Sequence, residues 1–135
     1  MSLQWSTGVR NAILDQIETT IGASAILKIR TGAAPASCAT ADSGTVLATL
    51  LLPSDWMAAA SAGAKAKTGT WQDTSADAAG TAAHYRLYAT DGTTCHSQGT
   101  VTATSGGGDM EVDNVVFAPG QSFTVTTFQW TAPGA

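Results

Sequence analysis

The stretch His84-Tyr85-Arg86-Leu87-Tyr88-Ala89-Thr90-Asp91-Gly92-Thr93-Thr94-Cys95-His96-Ser97-Gln98-Gly99-Thr100-Val101-Thr102-Ala103 decides the fold. Strand-like segments flank an Asp-Gly pair, the dipeptide that tolerates the positive φ angles of a two-residue type I′ turn. The reading is a β-hairpin with Asp91 and Gly92 as its loop, so that Tyr88 faces Cys95 and Leu87 faces His96. A period of two recurs in Leu27 to Arg30, Thr45 to Leu52, Met110 to Phe117 and Phe123 to Trp130, with turn residues between. Short strands separated by such turns predict a mainly β domain, an antiparallel β-sandwich or a jelly-roll-like barrel.

Outward from the hairpin, each segment adds a constraint. Leu27 and Ile29 alternate with Lys28 and Arg30, which predicts a strand with one wet face, and Thr31 to Asp42 follows as a loop of small residues. Thr45 to Leu52 is apolar on both faces and is expected at the centre of the sheet. Gly63 and the alternation of Lys65 and Lys67 favour an extended path through the Ala-rich segment before Trp71. Ser105-Gly106-Gly107-Gly108 reads as a flexible hairpin connection, and Ala118-Pro119-Gly120-Gln121 as a type II turn. Between Val125 and Phe128 the apolar parity changes, which predicts a bulge near Thr126-Thr127 or burial on both faces.

One helix precedes the strands. Val9, Ile13, Ile17 and Ile21 recur every four residues from Ser6 to Ile21, after a Ser6/Thr7 cap and before Gly22 as a stop. The β-branched residues of this stripe lower intrinsic helicity, so the helix is expected to need burial of the stripe against its own sheet or against a partner. Trp5, just ahead of the cap, extends the apolar face. The expected organisation is one domain, with the N-terminal segment and amphipathic helix over 1–23 and the β domain over 24–135.

Composition narrows the function classes. Of 135 residues only 12% are charged, the net charge is −4 and the pI lies near 4.7. An acidic chain whose six Lys and Arg residues cluster nowhere beyond Lys65 and Lys67 does not fit a phosphate backbone, so no direct nucleic-acid partner is expected. Apolar runs such as Val46 to Leu52 fall far short of the roughly 20 residues that span a bilayer. The N-terminus lacks the basic start and apolar run of a signal peptide, so synthesis in the cytoplasm and no membrane partner are expected.

Catalytic constellations are sparse. No G-x-S-x-G occurs, and only His84 and His96 could serve as a base. In the two-residue register they project from opposite faces of the hairpin, so neither a triad nor a metal pair is expected, and no catalytic residue, cofactor or metal is assigned. Cys38 and Cys95 could pair only if the loop and the hairpin meet, and an unexported chain keeps both as thiols. Asp109, Glu111 and Asp113 share one face of a strand at about 7 Å spacing and call for solvent, a basic partner or a cation. Trp56, Trp71, Tyr85, Tyr88 and Trp130 could stack on sugars, but aromatics this few are expected to fill the core. The candidate partner contacts are therefore Trp5, Val9, Ile13 and Ile17 on the helix and Asp109, Glu111 and Asp113 on the strand.

Four blocks resemble a known group: Leu27-Lys28-Ile29-Arg30-Thr31-Gly32-Ala33-Ala34-Pro35-Ala36, Ser43-Gly44-Thr45-Val46-Leu47-Ala48-Thr49-Leu50, Gly99-Thr100-Val101-Thr102 and Gly106-Gly107-Gly108-Asp109-Met110. Their order from Leu27 to the C-terminus is similar to that in small proteins encoded among the structural genes of tailed bacteriophages. The resemblance implies a virion component and carries no residue roles with it. In size and composition the chain looks like a head-decoration or cement protein on the capsid exterior. Such a protein clamps neighbouring major capsid subunits, with homo-oligomers on the particle. A tail or head-tail joining protein and a glycan- or receptor-binding module are the other classes that a site-poor β domain fits.

Overall fold

A computed structural model describes residues 3–135, so residues 1 and 2 of the N-terminal segment lie outside it. Helix α1 (Thr7–Ile21) starts at Ser6, whose hydroxyl accepts the Val9 N–H at 3.2 Å, and stops at Gly22, whose N–H donates to Glu18 O at 2.9 Å. Nine strands follow: β1 (Ile26–Thr31), β2 (Val46–Leu51), β3 (Ala64–Ala66), β4 (Gln72–Asp73), β5 (Gly80–Tyr88), β6 (Cys95–Ala103), β7 (Met110–Val112), β8 (Val116–Phe117) and β9 (Phe123–Thr131). They order as β2-β1-β5-β6-β7-β9-β3, with β4 on β9 and β8 on β5. The protein is mainly β, with a mixed sheet that curls into a half-barrel beside a second small sheet.

The curl encloses one core. Leu27, Ile29, Leu50, Leu87, Val112 and Val125 are fully buried on it. Across the opening, the aromatics interlock: Trp56 meets Trp71 at 5.9 Å and Trp130 edge-on at 5.7 Å, and Phe128 meets Tyr85 edge-on at 5.4 Å. Such tilted and edge-on pairs add about 0.5–1.5 kcal/mol each beyond area burial. They also mean that Trp56, Trp71, Tyr85 and Tyr88, all buried, form no exposed sugar platform.

The central hairpin keeps one expected pair and loses another. Tyr88 faces Cys95, but a bulge at His96 sets Leu87 opposite Ser97. The loop holds four residues: Ala89 donates to Thr94 O at 3.0 Å, and inside it Gly92, at φ 72°, donates to Ala89 O at 2.9 Å. Asp91 organises this loop as an acceptor. Its carboxylate takes the Thr94 hydroxyl and the Thr94 and Thr93 N–H groups, which lower its pKa to about 2. A single carboxylate with three local donors thus outcompetes the tighter two-residue turn.

Three other expectations are corrected. Strand β2 lies at the end of the sheet rather than its centre. Its open edge is covered by side chains and backbone of 73–77: Asp77 N donates to Leu47 O at 2.7 Å, Asp73 accepts from Thr49 N at 3.1 Å and Asp77 accepts from the Thr49 hydroxyl at 2.9 Å. On the second face of β2, Leu47 is buried while Leu51 is 69% exposed, so only part of that face is covered. Met110 to Phe117 is not one strand but two, β7 and β8, on different neighbours. And β7 runs parallel to β6, after a return of only Thr104–Asp109, where a hairpin was expected.

Glycine makes that parallel return fit. A Cβ on Gly106 would lie 2.7 Å from Thr102 Oγ1, and one on Gly108 would lie 2.8 Å from Thr102 Cγ2. The loop is consequently packed onto β6, with Gly108 N donating to Thr102 Oγ1 at 3.0 Å. The bulge expected near Thr126-Thr127 is present: Glu111 faces Thr127 while Val112 faces Val125, leaving Thr126 as the extra residue. The extended path expected through the Ala-rich segment is present as β3. Replacing Gly108 by Ala is expected to lower the unfolding free energy by about 1–3 kcal/mol, measured as a shift of the urea midpoint at unchanged slope.

Candidate functional site

The helix is docked on the domain by its polar side. Arg10 donates to Ala132 O through Nε at 3.2 Å and Nη2 at 2.9 Å, and Asn11 Oδ1 accepts from Gly63 N at 2.9 Å. Asp15 Oδ1 accepts from Ala60 N at 3.0 Å, and Glu18 Oε1 from Met57 N at 3.3 Å. Asn11, Asp15 and Glu18, spaced four and three residues apart, share one stripe, and Arg10 adjoins it. Each meets a backbone group of the irregular 57–63 segment or the chain end, groups that no strand partner satisfies.

At the centre of this seam lies Lys65 of β3, only 2% exposed. Its ammonium meets Asp15 Oδ1 at 2.7 Å and Glu18 Oε2 at 2.8 Å. Burial by itself pushes the Lys65 pKa down, but the hydrogen bonds and charges of Asp15 and Glu18 outweigh it and hold the pKa above the usual lysine value. The ammonium is therefore charged at neutral pH, and the two carboxylates keep it so.

With Arg10, Asn11 and Glu18 turned toward the domain and Asp15 at the margin, 51% exposed, part of the apolar stripe is left at the surface. Leu14 and Ile21 are buried, whereas Val9, Ile13 and Ile17 are 41%, 38% and 37% exposed. Trp5 is 43% exposed, yet it is fixed: its N–H donates to Gly134 O at 2.8 Å, and its indole edge lies where a Cβ on Gly134 would stand. A groove of about 270 Å³ adjoins the stripe, lined by Ile13, Gln16, Ile17, Thr20, Ile21 and His96.

Magnitudes explain why the helix does not roll. Turning it by about 100°, one residue's step, would bring Ile13 and Ile17 toward the position of Leu14. Burying the rest of Val9, Ile13 and Ile17 would gain on the order of 1 kcal/mol each. The roll would break the seam's hydrogen bonds, worth about 0.5–1.5 kcal/mol apiece, and strip a buried ammonium of both counter-ions, at a cost of several kcal/mol. Polar docking wins. The exposed stripe is a consequence of the Lys65 seam.

The remaining candidates have local partners. Asp109 Oδ2 accepts from Thr100 N at 2.9 Å and Thr100 Oγ1 at 3.0 Å, Glu111 Oε2 from Gly107 N at 3.1 Å, and Asp113 Oδ1 from Thr124 N at 3.0 Å. Only Glu111 of the three lies within β7, and the two aspartates flank it. All three carboxylates hold turns and strand ends around β7. His84 is buried with Nδ1 2.7 Å from Gly32 O, while His96 is exposed beside the helix. Among the described residues no group of three or more His, Cys, Asp or Glu side chains could hold a metal ion, and no helix is long and apolar enough to cross a membrane.

A second charged cluster was not legible in the sequence. The loop after β1 folds back over the face of the sheet that carries Lys28, Arg30, His84, Arg86 and Tyr88, so Arg30 and Arg86 are buried where a wet face was expected. Asp42 serves both: it pairs with Arg30 Nη2 at 2.8 Å, with Arg86 Nη1, and accepts from the Tyr88 hydroxyl at 2.7 Å. Arg86 also donates to the carbonyls of Ser37 at 3.2 Å, Cys38 at 3.0 Å and Thr40 at 3.1 Å. Desolvation raises the Asp42 pKa, but the Tyr88 hydrogen bond and the charges of Arg30 and Arg86 outweigh it and hold it below 3.8. Cys38 and Cys95, both free thiols, sit beside this cluster.

Set against protein-family models, curated proteins and solved structures, the chain matches none of them.

Two outcomes follow from the charged seams. Asp42→Ala leaves two buried guanidinium groups without a carboxylate; because Asp42 itself is 39% exposed, the expected loss is about 2–4 kcal/mol in a urea melt. Since its folded pKa is depressed, the stabilisation by Asp42 is complete above pH 3.8 and is lost as pH falls through the lower folded value, a slope the variant lacks. Lys65→Ala is expected to release the helix first. Hydrogen exchange should then rise several-fold at the amides of residues 11–21 while those of β1 and β5 stay protected.

Proposed function

We propose that this chain is a non-enzymatic structural protein of a tailed bacteriophage virion, a decoration or cement protein that binds the exterior of the capsid and clamps neighbouring major capsid subunits. The observation that carries the reading is the part-exposed apolar stripe of Val9, Ile13 and Ile17, extended by Trp5 ahead of the cap, on a helix whose polar side chains are committed to the domain. A fixed, preorganised apolar stripe suits docking, because little ordering cost remains when a partner covers it. The resemblance of the four sequence blocks to structural proteins of tailed bacteriophages supports a virion partner, and the weakly charged surface suits close packing beside other subunits.

The mechanism is physical. Each copy buries a few half-exposed aliphatic side chains, a gain of only a few kcal/mol per copy. Repetition over a lattice, with contacts to more than one subunit, converts such modest contacts into firm attachment and reinforces the seams between subunits. Apolar contact also makes attachment insensitive to moderate salt, which screens exposed charge pairs and leaves apolar burial intact.

Ile13→Glu with Ile17→Glu is expected to abolish binding to particles stripped of the protein. Ile13 and Ile17 are 38% and 37% exposed, so the variant is expected to lose about 1–2 kcal/mol of stability and remain folded, which a thermal melt checks. Particles without the protein should assemble and release DNA at lower temperature, and the wild-type chain alone should restore heat resistance. Full binding by the double variant would overturn the reading. So would a count of six or twelve copies per particle with loss of tail attachment, which would place the chain at the tail or the head-tail joint.

A further inference from the structure

The loop of residues 32–45 has no side chain in the apolar core, which passes from Ile29 directly to Leu47. Polar contacts hold it instead. Gln98 donates to Pro35 O at 2.6 Å, and Arg86, 1% exposed, reaches the carbonyls of Ser37, Cys38 and Thr40. A Thr40 N–H to Ser37 O turn at 3.0 Å fixes the tip that carries Cys38. Cys95, the first residue of β6, is paired across the hairpin with Tyr88, whose hydroxyl donates to Asp42 of the same loop at 2.7 Å. Arg86 donates to the Cys38 carbonyl at 3.0 Å from the same face of the sheet on which Cys95 pairs with Tyr88, and the Cys95 thiol donates to Ser97 O at 3.5 Å. Burial first, and then the Cys38 thiol, pushes the Cys95 thiol up to about 11.

We infer that Cys38 and Cys95, free and half-buried in the structure, are the site of an intramolecular disulfide that staples the 32–45 loop to the hairpin once the chain meets an oxidant. The oxidant is a low-molecular-weight disulfide. One cysteine, as thiolate, attacks a sulfur of that disulfide and expels one small thiolate, giving a mixed disulfide. The second cysteine, as thiolate, attacks the protein sulfur and expels the other. Two protein thiols are thereby oxidised, the small disulfide is reduced to two thiols, and the two protons pass to those leaving thiolates. A buried, largely protonated Cys95 makes this exchange slow, which suits a structural staple better than a fast sensor. A chain made in a reducing compartment would carry two thiols and close the bond after release into oxidising surroundings. The inference is independent of how the helix stripe is used.

The bond closes a long loop of chain, for which the stabilisation is among the larger ones a disulfide gives. The test incubates the folded full chain overnight with oxidised glutathione, alkylates it with iodoacetamide, and compares mass and melting with the dithiothreitol-treated chain. The expected product is monomeric and unalkylated, yields a Cys38–Cys95 linked peptide, and melts at least about 5 °C higher than the reduced chain. Cys38→Ser and Cys95→Ser should each keep the reduced chain's melting temperature and show no gain on oxidation. Two alkylated cysteines, a mixed glutathione disulfide that persists on the folded chain, a disulfide-linked dimer, or a linked monomer that melts no higher would each overturn the inference.

Discussion

Lys65 sets the geometry of the molecule's outer surface. Its ammonium is buried between a short strand and the helix, and Asp15 and Glu18 lie within 2.8 Å of it. A charge in that position needs both carboxylates, and they sit one turn apart on the same side of the helix. With Glu18 turned toward the domain and Asp15 at the rim of the seam, the geometry of an α-helix leaves Ile13 and Ile17 at its other margin, 38% and 37% exposed. An amphipathic helix normally buries its apolar side. Here the polar side serves a backbone segment rich in unpaired N–H groups, and the apolar side is left for something outside the domain.

The same device appears a second time. Arg30 and Arg86 lie under a loop that contributes no apolar residue to the core, and Asp42 neutralises both. In each place a buried cation does what a hydrophobic anchor does elsewhere in a β domain: it attaches a peripheral segment to the sheet. Such attachment is directional, because a guanidinium or an ammonium accepts only partners at hydrogen-bond distance and angle. The loop and the helix are therefore oriented as well as held. The cost is sensitivity to protonation of the carboxylates, which apolar anchoring would not show.

Much of this fold was legible in the sequence where the signal was local. Ser6 and Gly22 marked the helix ends because capping depends on adjacent residues, and the parity change between Val125 and Phe128 marked the bulge at Thr126. Long-range choices were not legible. The apolar faces of β2 suggested a central strand, and only the fold shows that Asp73 and Asp77 cover its edge from 24 and 28 residues away. The parallel return to β7 was hidden because three successive glycines signal flexibility as readily as close packing against Thr102. The candidate site was half legible. Periodicity found Val9, Ile13 and Ile17, but it assigned the helix interior to the apolar stripe, since nothing near residue 15 announces a lysine 50 positions later. Arg30 and Arg86 alternated with apolar residues like any solvated face, and the roof over them is distant in sequence.

If the helix stripe is the docking surface, a probe on it must touch the partner. The most direct measurement places a photo-cross-linking amino acid at position 13, and in a second chain at Val116 of β8, which is still more exposed, and irradiates each on intact particles. The account predicts a covalent adduct between position 13 and the major capsid protein, with little or none from position 116. Adducts from position 116 with none from position 13 would contradict it, because the apolar stripe would then face solvent on the assembled particle.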